Sequence, residues 1–206
     1  MSDTPNDTRG QVLDAFLRLL EERGYDDVSL GDVGAASSLG MAELYRLYPD
    51  KLALVQAFMA RVDGEALAGT SASLDPEETV RDRLFDILMR RFDALKPHRA
   101  ALAAIRRAGR RDPLMALVLG PGLMRSMAVM LEAAGVSGRE LSGAVRQNAL
   151  LAIYAAVSRV FDKDESADLS KTMAVLDSRL KTAERWAQTV DKYTDFRRDR
   201  VVSPAP

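Results

Sequence analysis

The chain has 206 residues, enough for one sizeable domain or for a small one attached to a larger one. A hydrophobic share of 47% is ordinary for a folded globular protein, and the lack of cysteine excludes disulfides, thiolate metal sites and a cysteine nucleophile. Near-equal charge totals, 29 basic against 30 acidic residues, hide a split: residues 1–60 hold five basic and ten acidic side chains, a net −5, which leaves +4 for the remainder.

The N-terminus, MSDTPNDTRG, is polar and shows no secretory signal, and no uninterrupted apolar run reaches the ~18 residues of a membrane span. No transmembrane segment is therefore expected, and the expected location is the cytoplasm.

Taken in chain order, the pattern is helical nearly throughout. Val12, Leu13, Phe16, Leu19 and Leu20 recur at helical spacing, and Gly24 follows at a C-cap position. Ser29 with Asp32 three residues later predicts a capping box at the start of a short helix. After the turn SSLG, a second short helix carries Leu44, Tyr45 and Tyr48 and ends at Pro49. Asp50 then caps a longer helix through Leu52, Leu54, Val55, Phe58 and Val62. The stretch 69–78, GTSASLDPEE, reads as a linker.

From Val80 an amphipathic helix shows Leu84, Ile87, Leu88, Phe92 and Leu95 until Pro97 stops it. Further helices are expected at His98–Gly109, at Pro113–Ala134 with a break at Gly120-Pro121, at Ser137–Phe161 and at Ser166–Tyr193. The tail VVSPAP is expected to be disordered. No segment alternates as a strand would, so the fold class is all-α. The divisions are a head at 8–58, a helical domain at 59–196 and a tail at 197–206.

Three helices with a tight turn between the second and third describe a helix-turn-helix. The residues Val33, Gly34, Ala36, Ser37, Ser38 and Leu39, then Leu44, Tyr45, Tyr48, Pro49, Lys51 and Leu54, resemble the TetR family of bacterial transcription regulators in type and spacing. The resemblance covers about Thr8 to Phe58. It implies that Met41–Leu47 is the recognition helix, whose first residues Gly40, Met41, Ala42 and Glu43 enter the major groove of operator DNA together with Arg46. It also implies that Ser29, Tyr45 and Lys51 lie against phosphates.

The departures from the family pattern are specific. Ser38 stands where glycine is usual in the turn, Gly40 replaces a hydroxyl N-cap, and Met41 and Glu43 replace a cation and a hydroxyl. Met41 and Ala42 suit thymine methyls and Glu43 a cytosine amino group, but a carboxylate and a net −5 head repel phosphate. The bland alternative is a packing unit with Tyr45 and Tyr48 in the core and Lys51 solvated.

The segment DPLMALVLGPGLMRSMAVMLEAAG is apolar nearly all round, so it is expected to be buried on every side or to line a cavity. Leu114, Met115, Leu117, Val118, Met124 and Met127 would form one wall of an apolar effector chamber, which the resemblance places in this part of the chain. Phe85, Leu88, Met89, Phe92, Leu102 and Tyr154 would form the other, with Tyr154 and Arg125 as polar contacts. Ordinary core is the alternative. Asn148–Phe161 is rich in small residues (Ala149, Ala152, Ala155, Ala156), and the resemblance makes the last two helices a homodimer contact, with Trp186 as a candidate anchor.

Arg106, Arg107, Arg110 and Arg111 form a basic stripe, expected to be a solvated face. One histidine, His98 (expected to be exposed), and no cysteine cannot build a metal cluster or a histidine-based triad. No enzyme, metal or cofactor is expected, and capping rather than calcium binding accounts for Asp162, Asp164 and Glu165. The helix RDRLFDILMRRFDALKP also resembles that of TetR-like lipid-binding accessory proteins of ubiquinone biosynthesis. That names a second reading: a lipid- or isoprenoid-binding protein on the same fold with DNA binding lost.

Overall fold

The computed structural model describes residues 5–70, 75, 77–136 and 141–202. Its order is α1 (Pro5–Arg23), α2 (Leu30–Ser37), α3 (Met41–Leu47), α4 (Lys51–Ala68), α5 (Val80–Leu95), a 3-10 turn (Lys96–His98), α6 (Arg99–Arg111), α7 (Pro113–Ala133), α8 (Leu141–Phe161) and α9 (Ser170–Val202). No strand occurs among the described residues, and the fold is all-α.

The starts of these helices follow from side-chain chemistry. Ser29 and Asp32 close the expected capping box on α2: Asp32 N donates to Ser29 Oγ at 3.1 Å and Ser29 N to Asp32 Oδ2 at 2.8 Å. Asp50 accepts from Ala53 N at 2.7 Å to start α4, and Thr79 and Asp112 do the same for α5 and α7. At the end of α1, Gly24 takes φ +87 and its N–H reaches Leu20 O at 3.0 Å, as its C-cap position implied.

In the head, α1 packs on α2 and α4, and α2 on α3. Val12, Phe16, Leu20, Val33, Leu44 and Phe58 fill the space between them. Beyond it α4 packs on α5 and α7, α7 on α6 and α8, and α9 on α8 and α5, so one apolar core runs from head to C-terminal helices. Three cations from the α5–α6 region hold the α8–α9 loop: Lys96 on Ala167 O, Arg99 on Asp164 O and Arg106 on Asp162.

Several expectations need correction. Pro121 does not break α7, which runs on to Ala133. The carbonyl that Pro121 leaves without a donor belongs to Leu117, which is exposed, so water can satisfy it. Nor is α7 buried all round. Its Met115, Met127, Met130 and Leu131 are buried, but Leu114 and Leu117 are 65% and 71% exposed, with Val118 and Val129 also open. At 21 residues, with an apolar stretch of mean hydropathy 1.7, this helix is long and apolar enough to cross a membrane by length and composition alone, although Arg125 interrupts its apolar run.

His98 is half-buried rather than exposed, edge-on to Phe58 with ring centroids 5.4 Å apart. The expected linker falls between α4 and α5, with 71–74 and 76 outside the described residues, as are 137–140 of the expected Ser137 start and 203–206 of the tail. Helix α9 starts at Ser170 and extends to Val202, past the expected end at Tyr193.

Candidate functional site

The turn between α2 and α3 is tight because Gly34 has no side chain. A Cβ there would lie 3.1 Å from Leu39 O and 3.5 Å from a methyl of Leu44. Ser38 adopts φ 58, the left-handed conformation that glycine enters without penalty. Its neighbour Leu39 donates to Gly34 O at 2.9 Å, which closes the turn.

With Leu44 buried against the head, α3 presents Met41, Ala42, Glu43, Tyr45 and Arg46 outward, and Tyr45 is 63% exposed. The packing alternative for Tyr45 is thereby excluded. Tyr48 is the core residue, its hydroxyl donating to Arg9 O at 3.3 Å. Gly40 sits at the helix N-cap in an extended conformation and provides no side-chain cap, so it offers α3 only backbone. Arg46 Nε donates to Ala42 O at 3.3 Å, which lays the guanidinium along the same exposed face.

Two expected phosphate contacts have other partners. The Ser29 hydroxyl donates to Asp32 Oδ2 at 2.5 Å while accepting from Asp32 N, so its capacity is used within the cap. Those bonds, first the one from the Ser29 side chain, hold the Asp32 carboxyl below its usual range. Lys51 is not a solvated helix-start residue. Its Nζ donates to Tyr25 O at 2.8 Å and lies 4.3 Å from the centre of the Tyr25 ring; burial lowers its pKa, against the pull of Asp26 and Asp27. Burial, then Asp50, Asp112 and Asp26, push the Tyr25 hydroxyl up to about 12. The Tyr25–Asp26 turn is also reached from the C-terminal helices, by Arg111 at 3.5 Å from Asp26.

Of the expected chamber residues, Leu88, Met89, Phe92, Leu102, Met115, Met127 and Tyr154 are buried in the shared core. Phe85 and Met124 are half-buried, while Leu114, Leu117 and Val118 face outward and Arg125 is exposed. The structure thus splits the α7 wall: Met115 and Met127 point into the core, the other stripe away from it.

Sequence reasoning missed the polar centre of this region. Arg91 on α5 is fully buried; its Nε donates to Asp63 Oδ1 of α4 at 2.9 Å and its Nη1 to the Tyr154 hydroxyl on α8. Ser126 Oγ of α7 donates to the other Asp63 oxygen. The guanidinium lies 4.6 Å from the Tyr154 ring centre, and that ring stacks on Phe92. A signal existed: Arg91 falls on the apolar face of α5 with Ile87, Leu88 and Leu95, where a cation must find a partner.

On α8, Val145, Ala149, Ala152 and Ala155 are exposed, the small-residue stripe expected at a close helix contact. Trp186 is 70% exposed, so it does not pack within its own subunit.

Residues 12–58 match the family model of bacterial regulatory proteins of the tetR family. The nucleoid occlusion factor SlmA of Haemophilus influenzae is 28% identical over 91 residues, which make up 44% of this chain and 42% of that protein; the match thus spans less than half of this curated relative. The structure of a TetR transcriptional regulator from Nitrosomonas europaea superposes with a TM-score of 0.71 at 20% identity, covering 85% of this chain and 97% of that one. The fatty acid degradation regulator FadR from Bacillus halodurans does so at 0.59 and 16% identity, covering 87% and 96%. The helix-turn-helix with its Gly34-dependent turn is therefore a tetR-family N-terminal domain, and the helices that follow it complete the fold seen in TetR-family structures.

Proposed function

We propose that the protein is a dimeric repressor that holds operator DNA through α2, α3 and the start of α4 and lets go when an apolar molecule enters the C-terminal helices. The observation that carries this reading is the outer face of α3. Leu44 locks the helix from within, and Met41, Ala42, Glu43, Tyr45 and Arg46 are all presented to solvent at the point where a recognition helix meets base edges. The exposed alanine stripe of α8 and the exposed Trp186 support a two-fold contact through α8 and α9.

A titration of the full chain against the DNA flanking its own gene and against random DNA, over a range of salt, tests the reading. An operator-binding regulator prefers its site by at least ~10³-fold. A second reading, a lipid-binding protein that has lost DNA binding, is favoured by Lys51 lying on Tyr25 and by the acidic head. Equal and feeble binding to both DNAs selects that second reading.

A further inference from the structure

We infer that Arg91 anchors a ligand within the C-terminal helices, and that it takes a neutral oxygen acceptor, such as a ketone or ester carbonyl, on an otherwise apolar molecule. This rests on the effector reading proposed above and adds the chemical class of the ligand. The observation behind it is an incomplete hydrogen-bond set in a fully buried cation. Two guanidinium nitrogens have partners, Nε with Asp63 and Nη1 with the Tyr154 hydroxyl, while Nη2 is buried with none. One helical turn from Tyr154 on α8, the Ser158 hydroxyl is likewise buried and unpartnered. Arg81 and Arg99 also carry buried nitrogens without a partner, but those side chains are partly exposed, whereas Arg91 is fully buried and its free nitrogen forfeits its water without replacement.

The charge state of the cluster decides what fits. Asp63 already pairs with Arg91, and its second oxygen accepts from Ser126, so cation and carboxylate cancel. A carboxylate ligand would add an uncompensated negative charge beside Asp63 in the core that also buries Leu88, Phe92 and Met127. A carbonyl oxygen accepts from Nη2 and adds no charge. Asp63 is thus the residue that selects neutral over anionic ligands.

The test uses the delipidated full chain and three matched probes, methyl decanoate, decanoate and undecane, each displacing an environment-sensitive apolar dye. Methyl decanoate is expected to bind about 10-fold more tightly than undecane, the worth of one hydrogen bond from a charged donor, and more tightly than decanoate. In Asp63→Asn the arginine loses its counter-charge while keeping an acceptor, so decanoate overtakes the ester. Removing both charges with Asp63→Asn and Arg91→Met, which avoids stranding a buried carboxylate, abolishes the ester's advantage over undecane. If all three probes bind the parent equally, the chamber stands and the anchor does not; the free nitrogen is then met by water. If none binds, the effector reading fails and the anchor with it. An unchanged order in Asp63→Asn overturns the assignment of selectivity to Asp63.

Discussion

Asp164 is the one completely buried carboxylate among the described residues, and its replacement tests how the two last helices are held. Its Oδ1 accepts from the backbone and hydroxyl of Ser166, its Oδ2 from Thr172 N at 2.8 Å and Thr172 Oγ1 at 2.7 Å, and its own carbonyl accepts from Arg99. Asp164→Asn keeps the shape but turns one acceptor into a donor. With the amide oxygen on buried Thr172, the new NH2 faces the Ser166 N–H. One charge-assisted bond lost and one donor left unmet amount to about 2 kcal/mol. In a protein of this size that lowers Tm by roughly 4–8 °C, and Asp164→Ala, which strands Thr172 as well, by about twice as much.

The pH dependence of Asp164 has a fixed sign. Burial alone would raise its pKa, but the bonds from Ser166 and Thr172 outweigh burial and hold the carboxyl well below the usual range. A carboxyl depressed on folding contributes stability above its unfolded pKa of ~3.9 and loses it as pH falls through the folded value. Parallel calorimetric melts of parent and Asp164→Asn should therefore differ fully at neutral pH and converge in acid. Equal melting at neutral pH, or a gap that widens on acidification, would refute the reasoning.

Lys51→Ala should weaken binding to all DNA sequences alike and flatten the dependence of log affinity on log salt by about one unit, read by fluorescence anisotropy. An unaltered slope would mean that Lys51 stays on Tyr25 in the complex. Ala152→Arg puts an unpaired charge into the expected α8 contact and should weaken dimerisation by ~100-fold or more in sedimentation velocity, with the subunit still folded. Ser38→Gly removes the left-handed strain of the turn, a relief of ~1–2 kcal/mol less the ~0.5–1 kcal/mol that glycine adds to unfolded-chain entropy. A lower Tm for this variant would show that Ser38 is not strained.

What could be read from sequence was what is local. The Ser29–Asp32 box, the Asp50 cap and the Gly24 terminus each depend on residues within one turn, and all formed as the spacing implied. The Leu44 and Tyr48 anchors were legible because helical spacing alone puts them on one face. Arg91 was not, since its partners Asp63 and Tyr154 stand 28 and 63 residues away and only packing brings them together. The Lys51 contact was not legible for the same reason: Tyr25 reaches it from across the head. For α7, composition fixes how apolar a helix is, but which side its neighbours cover depends on their number and angle. That is why Leu117 is open while Met127 is not.

The acidic head is less repulsive to DNA than its composition suggests. Three of its carboxylates are paired with arginines: Asp32 with Arg23 at 3.1 Å, Asp14 with Arg61 at 2.5 Å and Asp26 with Arg111 at 3.5 Å. Two of those arginines lie beyond residue 60, so counting them with the head brings its −5 to −3. Exposed pairs add little stability, but they do cancel the longer-range field. Glu43 is different, because it stands on the outer face of α3 with no ion pair among the described residues. At roughly 7 Å from a phosphate in water, its charge costs about 0.6 kcal/mol per phosphate, a few-fold in affinity. Glu43→Thr should therefore tighten binding to random DNA a few-fold at low salt, and the gain should fade above ~0.1 M as the Debye length shortens. The operator responds differently if Glu43 accepts from a cytosine amino group. Its affinity then falls while random-DNA binding rises, and the loss is confined to sites with cytosine at one position, at ~1–3 kcal/mol. A rise on both DNAs makes Glu43 only a repulsive charge, and no change on either means that α3 does not face DNA.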